Sequence, residues 1–159
     1  MRNPTVLPLI RFFYHSSLSP WRLNKASSHK AWLSECMHHL KKDVYLFRLY
    51  YYFITQKKIQ LLHKRFLGVD APTDVLAFDY SNGGRIEGEV FISPKQVRLH
   101  AGWYNVAFPK ELRRVMVHGL LHLLGWNDKE EREREEMRKR EDFCLQLWEA
   151  RYVSHETCG

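Results

Sequence analysis

His118 and His122 lie four residues apart in the segment HGLLHLLGWND, which covers residues 118–128. On a helix with about 3.6 residues per turn, the two imidazoles would be about 40° apart around the axis and about 6 Å apart along it, so both could bind one metal ion. Gly125 is expected to end that helix, because glycine adopts a positive φ at little cost. Asp128 follows three residues later and could return as a third ligand. Two histidines and one carboxylate leave a fourth position open for water, which is typical of catalytic rather than structural zinc.

The residues around the two histidines favour a metal site over a pair of ordinary surface side chains. Histidines at this spacing are often partly exposed polar residues, but here the neighbouring positions are mostly apolar, so the helix is expected to be buried. A buried pair of imidazoles without a shared partner costs free energy. One metal ion would satisfy both rings, and the segment therefore predicts metal binding.

Gly119 distinguishes this segment from the H-E-x-x-H motif of metallopeptidases. That motif carries a glutamate after the first histidine, where it serves as the general base. Glycine can neither accept a proton nor orient a water molecule, so peptidase chemistry is disfavoured. A bound zinc ion also lowers the pKa of its water toward about 7 and polarises a phosphoryl oxygen. The segment is thus compatible with phosphodiester hydrolysis, with a metallopeptidase as the weaker alternative.

Apolar periodicity and turn residues predict an α+β domain around this segment. The predicted strands cover residues 5–14, 44–53, 73–80 and 85–92, with a turn at 81–84. The predicted helices, four or five in number, cover residues 21–41, 56–66, 94–104, 109–124 and 130–152. Because the chain has no internal repeat or linker, residues 1–159 are expected to form one domain. Charges of opposite sign recur at i, i+4 spacing over residues 130–142, which predicts a solvated helix face with paired charges.

The charge of the chain is unevenly distributed. The 159 residues carry 25 Lys+Arg and 18 Asp+Glu, a formal net charge of +7, and 45% of them are hydrophobic, which excludes a disordered chain. Residues 1–65 contain 12 basic and 2 acidic residues, whereas residues 66–159 contain 13 and 16. A basic first part is typical of proteins that bind a polyanion such as nucleic acid, although it can also serve solubility.

The cysteines and the apolar segments favour a cytoplasmic protein without a membrane partner. Three cysteines, an odd number, occur without a CxxC pair, so a disulfide framework is not expected. Prolines and Arg11 interrupt the apolar start of the chain, which disfavours a signal peptide. Uncharged apolar stretches fall short of the roughly 20 residues that span a bilayer.

Three linked motifs resemble the YbeY endoribonuclease family, also called the rRNA maturation factor family. They are HGLLHLLGWND at 118–128, PTDVLAFD at 72–79 and GEVFIS at 88–93, and the helix with EEMRKRED at 135–142 adds to them. The resemblance covers about residues 43–150 and implies a zincin-like domain, with the metal helix packed on a small mixed four-stranded sheet. It also implies a metal-dependent endoribonuclease that is specific for single strands. Its implied roles are maturation of the 3′ end of small-subunit ribosomal RNA and ribosome quality control.

The resemblance also implies roles for particular residues. His118 and His122 match the first two metal ligands, and Asp128 matches the third, where most members carry histidine. It implies one Zn²⁺ per chain, or another divalent transition metal, and the small ribosomal subunit with its assembly factors as partners. The family's active-site arginine corresponds to Leu67, so Arg65 is the expected phosphate contact in its place. Further candidates for RNA contact are Lys64, Arg85, Lys95, Arg98, Arg113 and Arg114.

The leucine at position 67 leaves a second hypothesis about the function open. A chain without the family's arginine could be a non-catalytic ribosome-assembly factor whose metal is structural. RNA cleavage by the wild-type protein and by variants of the two histidines would distinguish the two functions.

Overall fold

Four strands form one mixed sheet in the order β1-β2-β4-β3. The structure is a computed structural model that describes residues 9–153. The strands are β1 (Ile10–Tyr14), β2 (Tyr45–Phe53), β3 (Val75–Asp79) and β4 (Arg85–Ile92). Strand β2 pairs in parallel with both β1 and β4, and β3 pairs antiparallel with β4 as the predicted hairpin. Residues 5–8 of the first predicted strand lie outside the described residues.

Five α-helices accompany the sheet, so the predicted α+β class is confirmed. They are α1 (Ala26–Leu40), α2 (Gln56–Leu67), α3 (Pro94–Tyr104), α4 (Phe108–Leu123) and α5 (Glu131–Trp148). Thr55 and Ser93 accept hydrogen bonds from the first turns of α2 and α3, and Gly68 ends α2 in the left-handed conformation. Within residues 9–153, no helix combines the length and the apolar character needed to cross a bilayer.

Two helix boundaries differ from the prediction. Helix α1 begins at Ala26 rather than at residue 21, because Lys25 has φ 55° and ψ 48°, a left-handed conformation that a right-handed helix does not contain. The last helix is α-helical only to Trp148 and continues as a π-helical turn over Glu149–Val153. In that turn the Tyr152 ring lies 4.4 Å from the Trp148 ring.

Two glycines allow α4, the helix that carries both histidines, to pack closely on the sheet. A Cβ atom at Gly119 would lie 2.6 Å from Cγ1 of Val90 on β4. A Cβ atom at Gly88 of β4 would lie 2.5 Å from Cδ2 of Leu123 and 2.8 Å from the carbonyl oxygen of Phe78. Real Cβ atoms do not approach so closely, so α4 reaches this position only because both residues lack a side chain.

Gly88→Ala is expected to destabilise the fold. The added methyl group would meet a backbone carbonyl as well as a side chain, and overpacking of this kind costs about 1–3 kcal/mol in the free energy of unfolding. Gly102→Ala on α3 is the control, because no atom lies within 4 Å of its Cβ position. That change is expected to stabilise the helix by about 0.5–1 kcal/mol. Chemical denaturation measures both, and equal stabilities for the two variants would contradict the close packing.

His29 makes the stability of the fold depend on pH. The residue is buried on α1 with a 4% exposed surface, and its Nδ1 lies 2.9 Å from the carbonyl oxygen of Lys25. Burial lowers the pKa of His29 from 6.5 to about 4. Between those two values the unfolded chain binds a proton that the folded chain does not, so the free energy of unfolding falls as the pH falls through this window.

His29→Gln is expected to reduce this acid sensitivity. The lowered pKa corresponds to a loss of up to about 3 kcal/mol between pH 6.5 and pH 4, and glutamine does not titrate there. Urea denaturation at pH 7 and pH 4.5 measures the difference, with the exposed His38→Gln as the control. If the two variants lose the same stability on acidification, His29 is not the group responsible.

Candidate metal centre

The structure brings the three predicted metal ligands together at the end of α4. The distance between Nε2 of His118 and Nε2 of His122 is 3.1 Å, and Oδ2 of Asp128 lies 3.2 Å from the first and 3.5 Å from the second. An ion with tetrahedral bonds of about 2.0–2.1 Å would hold its donor atoms about 3.3 Å apart. The three donors therefore already have the spacing that a tetrahedral metal ion requires.

The loop after α4 returns Asp128 to the two histidines. Gly125 has a φ of 101°, which confirms that the helix ends there. The backbone N–H of Trp126 donates to the carbonyl oxygen of Leu121, and the Nζ of Lys41 donates to that of Leu124 at 2.7 Å. The guanidinium of Arg140 lies 4.5 Å from the centre of the Trp126 ring. These contacts from α5 and the end of α1 hold the loop in the conformation that positions the third ligand.

Glu141 on α5 orients His118 from the side opposite to the ligand cluster. The Nδ1–H of His118 donates to Oε2 of Glu141 at 2.7 Å. Arg114 of α4 donates to Oε1 of Glu141 at 3.0 Å and to Asp142 at 2.7 Å. A carboxylate behind a metal-binding histidine fixes the tautomer, so that the Nε2 lone pair faces the metal position. The sequence pattern predicts a solvated face for this part of α5, and Glu141 is instead buried.

The two histidines have opposite pKa shifts. Burial alone would lower the pKa of His118, but the hydrogen bond and the charge of Glu141, together with the charge of Asp128, outweigh burial and raise it. The pKa of His122 is lowered, first by burial and then by the charge of His118. A metal must displace a proton from a histidine that it binds, so a metal ion held by these residues would bind more weakly as the pH falls.

A cavity of about 780 Å³ opens beside His118 and Asp128. Carboxylates dominate its lining, namely Asp74, Glu111, Asp128, Glu131, Glu135 and Glu141. Three arginines, Arg114, Arg134 and Arg138, also line it. Among the described residues, the side chain of Arg138 makes no hydrogen bond or ion pair. The i, i+4, i+7 spacing of residues 134, 138 and 141 is the signal that places them on one face of α5.

The other predicted RNA-binding residues have different locations. Arg114 lines the cavity beside the metal ligands, whereas Arg98 and Arg113 line a second cavity. Lys64, Arg65, Arg85 and Lys95 line neither cavity. Lys64 pairs with Asp70, Arg85 pairs with Glu87, and the guanidinium of Arg65 lies 5.6 Å from the centre of the Phe66 ring. Leu67, where the resemblance implies an arginine, is 62% exposed at the end of α2.

The packing of Gly119 gives a structural reason against a peptidase. A side chain at this position would point at Val90 of the sheet rather than into the cavity beside His118. The glutamate of the H-E-x-x-H motif therefore has no room here unless α4 moves away from β4.

The sequence matches that of known proteins over most of its length. A family model described as Endoribonuclease YbeY matches residues 21–149. A protein named Endoribonuclease YbeY from Christiangramia forsetii is 32% identical over 139 residues, which cover 87% of this chain and 94% of the relative. The protein of the same name from Flavobacterium johnsoniae is 33% identical over 140 residues, which cover 88% and 97%.

A solved structure shares the fold. The solution structure of a Thermotoga maritima protein matches with a TM-score of 0.58 and 26% identity, and the match covers 92% of this chain and 93% of that one. The residues matched by the family model include α4, the loop after it and the whole of α5. On this evidence the chain belongs to the YbeY endoribonuclease family.

Proposed function

We propose that the protein is a metal-dependent endoribonuclease that cleaves single-stranded RNA and acts in the maturation of small-subunit ribosomal RNA. The observation that carries the proposal is the triangle of donor atoms of His118, His122 and Asp128, with edges of 3.1–3.5 Å, in a chain of the YbeY family. Zn²⁺ is the proposed metal, one ion per chain, because two histidines and a carboxylate are a ligand set that catalytic zinc sites use.

The metal ion and a nearby arginine have separate proposed roles in phosphodiester hydrolysis. A metal ion at this position supplies Lewis-acid chemistry, since it lowers the pKa of water and polarises a phosphoryl oxygen. Arg138 is the proposed phosphate contact, because it lines the cavity and its guanidinium has no protein partner among the described residues. Arginine suits this role because its planar fork can bind two phosphate oxygens. Arg138 would thus replace the family's arginine that is absent at Leu67.

Two exposed aromatic residues support a single-stranded substrate. Tyr104 lines the mouth of the cavity beside the metal ligands with 63% of its surface exposed, and Trp103 next to it is 69% exposed. Unpaired bases stack on such aromatic side chains, whereas the bases of a duplex stack on one another. A flexible single strand can therefore place a base on Tyr104 and an adjacent phosphate near Arg138.

A role on the ribosome, including ribosome quality control, completes the proposal. The first 65 residues have a net charge of +10, which favours contact with ribosomal RNA in the small subunit and its assembly intermediates. A cytoplasmic location fits the buried cysteines Cys36 and Cys144, which are free thiols. The alternative, a non-catalytic assembly factor with a structural metal, is supported by one observation, the leucine at position 67.

Variants of Asp128 test the proposal. We expect about one zinc ion per wild-type chain by elemental analysis, and cleavage of a single-stranded RNA but not of the same sequence in a duplex. Asp128→Ala is expected to lose the metal and the cleavage. Asp128→His is the matched control and is expected to keep both, because histidine is also a good zinc ligand.

The outcomes separate the two functions. Cleavage by a metal-free wild-type protein would refute the metal-dependent mechanism, and unchanged metal content in Asp128→Ala would refute Asp128 as a ligand. Stoichiometric metal without cleavage in any of the proteins would instead support the assembly factor.

A further inference from the structure

A second cavity, of about 460 Å³, lies on another side of α4. It is bounded by the segment before α1, by the N-terminal half of α4 and by the end of α5, and it shares no lining residue with the cavity beside the metal ligands. Its volume lies within the roughly 300–1,000 Å³ that is typical of small-molecule sites. Nothing in the proposed hydrolysis uses it.

The charges around this cavity all have one sign. Arg22, Lys25, Arg98 and Arg113 line it, and none of its described lining residues is a carboxylate. His29 also lines it, but the ring is neutral at pH 7 because burial lowers its pKa to about 4. The cavity beside the metal ligands has six carboxylates and three arginines, so the second cavity is the one of the two whose lining charges are all positive, which favours an anion.

Aromatic rings form the walls and hold two of the arginines in place. The guanidinium of Arg98 lies 3.8 Å from the centre of the Phe108 ring, and that of Arg113 lies 4.5 Å from the centre of the Trp148 ring. A guanidinium that lies over a ring still presents its N–H groups at its edge, where they can bind phosphate oxygens. The Nε of Arg113 is buried and has no hydrogen-bond partner among the described residues.

Trp21 and Tyr152 are partly exposed and offer a surface to a planar group, whereas Trp148 is buried beneath Arg113. Trp21 stands edge-on to Phe108, with ring centres 6.5 Å apart and an interplanar angle of 70°. Trp148 and Tyr152 pack together at 4.4 Å on the side of α5. A planar heterocycle stacks on rings of this kind, and each base–aromatic stack contributes about 1–3 kcal/mol.

We infer that this second cavity binds one nucleotide, with its base against the aromatic walls and its phosphate on Arg98 and Arg113. The nucleotide can be a free nucleoside monophosphate or one unit of an RNA strand, since both present the same base and phosphate. The inference does not depend on the metal or on cleavage, because no ligand residue of the metal site lines the cavity.

Binding measurements on the full chain test the inference. Adenosine 5′-monophosphate and a single-stranded RNA octamer are titrated into the protein by calorimetry, with and without EDTA. Arg98→Gln is expected to weaken binding at least tenfold, because it removes an exposed cation that lies over Phe108 without touching the core. Arg132→Gln, an exposed arginine of α5 that lines neither cavity, is the control and is expected to leave the affinity for the mononucleotide unchanged.

Each outcome of these binding measurements either supports or overturns the inferred nucleotide site. Tight binding of the mononucleotide that is lost in Arg98→Gln supports a site for free nucleotides. Binding of the octamer alone, again weakened by Arg98→Gln, supports a site for a nucleotide within a strand. The inference is overturned if neither ligand binds, or if Arg98→Gln and Arg113→Gln bind both ligands as well as the wild type does. None of these results depends on RNA cleavage, so failure here leaves the proposed endoribonuclease untouched.

Discussion

Alanine at His122 is expected to remove the metal and to slow the cleavage of single-stranded RNA at least about a thousandfold, equivalent to about 4 kcal/mol of activation free energy. The change deletes one of three donors whose atoms lie 3.1–3.5 Å apart, and the remaining two are expected to hold a metal ion much more weakly than three. His118→Ala is expected to have the same effect. Elemental analysis measures the metal, and a gel assay with a labelled RNA measures the cleavage.

The control for this prediction is His38→Ala, which removes an exposed imidazole on α1. It is expected to retain wild-type metal content and activity. If His122→Ala, His118→Ala and the wild type show equal residual cleavage, the activity comes from a contaminating nuclease and the assignment of the ligands to catalysis is wrong.

Glu141→Gln is expected to lower the affinity for the metal and the rate of cleavage by about 10–100-fold, the usual effect of losing a carboxylate behind a ligand histidine. Glutamine can still accept the hydrogen bond from Nδ1 of His118, but it does not carry the negative charge that raises the pKa of His118 and strengthens its Nε2 as a donor. Competition with a chelator of known affinity measures the first effect.

Asp142→Asn is the matched control for Glu141→Gln. Both carboxylates accept a hydrogen bond from Arg114, at 2.7 Å for Asp142 and 3.0 Å for Glu141, but only Glu141 contacts His118. A weaker metal affinity confined to Glu141→Gln supports its action through His118. Equal losses in the two variants would mean that the position of Arg114, rather than the charge behind His118, matters.

The cluster of His118, His122 and Asp128 was predictable because its signal is local. The spacing of His118 and His122 follows from helix geometry, and a glycine that ends the helix allows Asp128 to return within three residues. Glu141 gave no such signal, because it lies 23 residues beyond His118 on another helix. Its neighbourhood alternates in charge, and one pair there, Glu136 and Arg140, is the expected surface contact at 3.3 Å. Only tertiary packing shows that Glu141 faces inward.

The sequence shows how many basic residues the chain has, but not which way their side chains point. Arg113 and Arg114 are adjacent on α4, yet they line two different cavities, because successive residues of a helix point about 100° apart. In the sequence both are candidates for RNA contact, and nothing separates one from the other. The start of α1 was mispredicted for a comparable reason, since the left-handed conformation of Lys25 is not a preference that lysine shows in isolation.

The close contact between Gly119 and Val90 also restricts how this fold can evolve. A single mutation to glutamate at position 119 would recreate the H-E-x-x-H pattern in the sequence, but it would place the new carboxylate against the sheet and push the ligand helix away. A compensating reduction of Val90 to a smaller residue would be needed in the same lineage before the new group could be accommodated. The two motifs differ by one residue, yet glutamate at position 119 without a change at Val90 is expected to destabilise the fold.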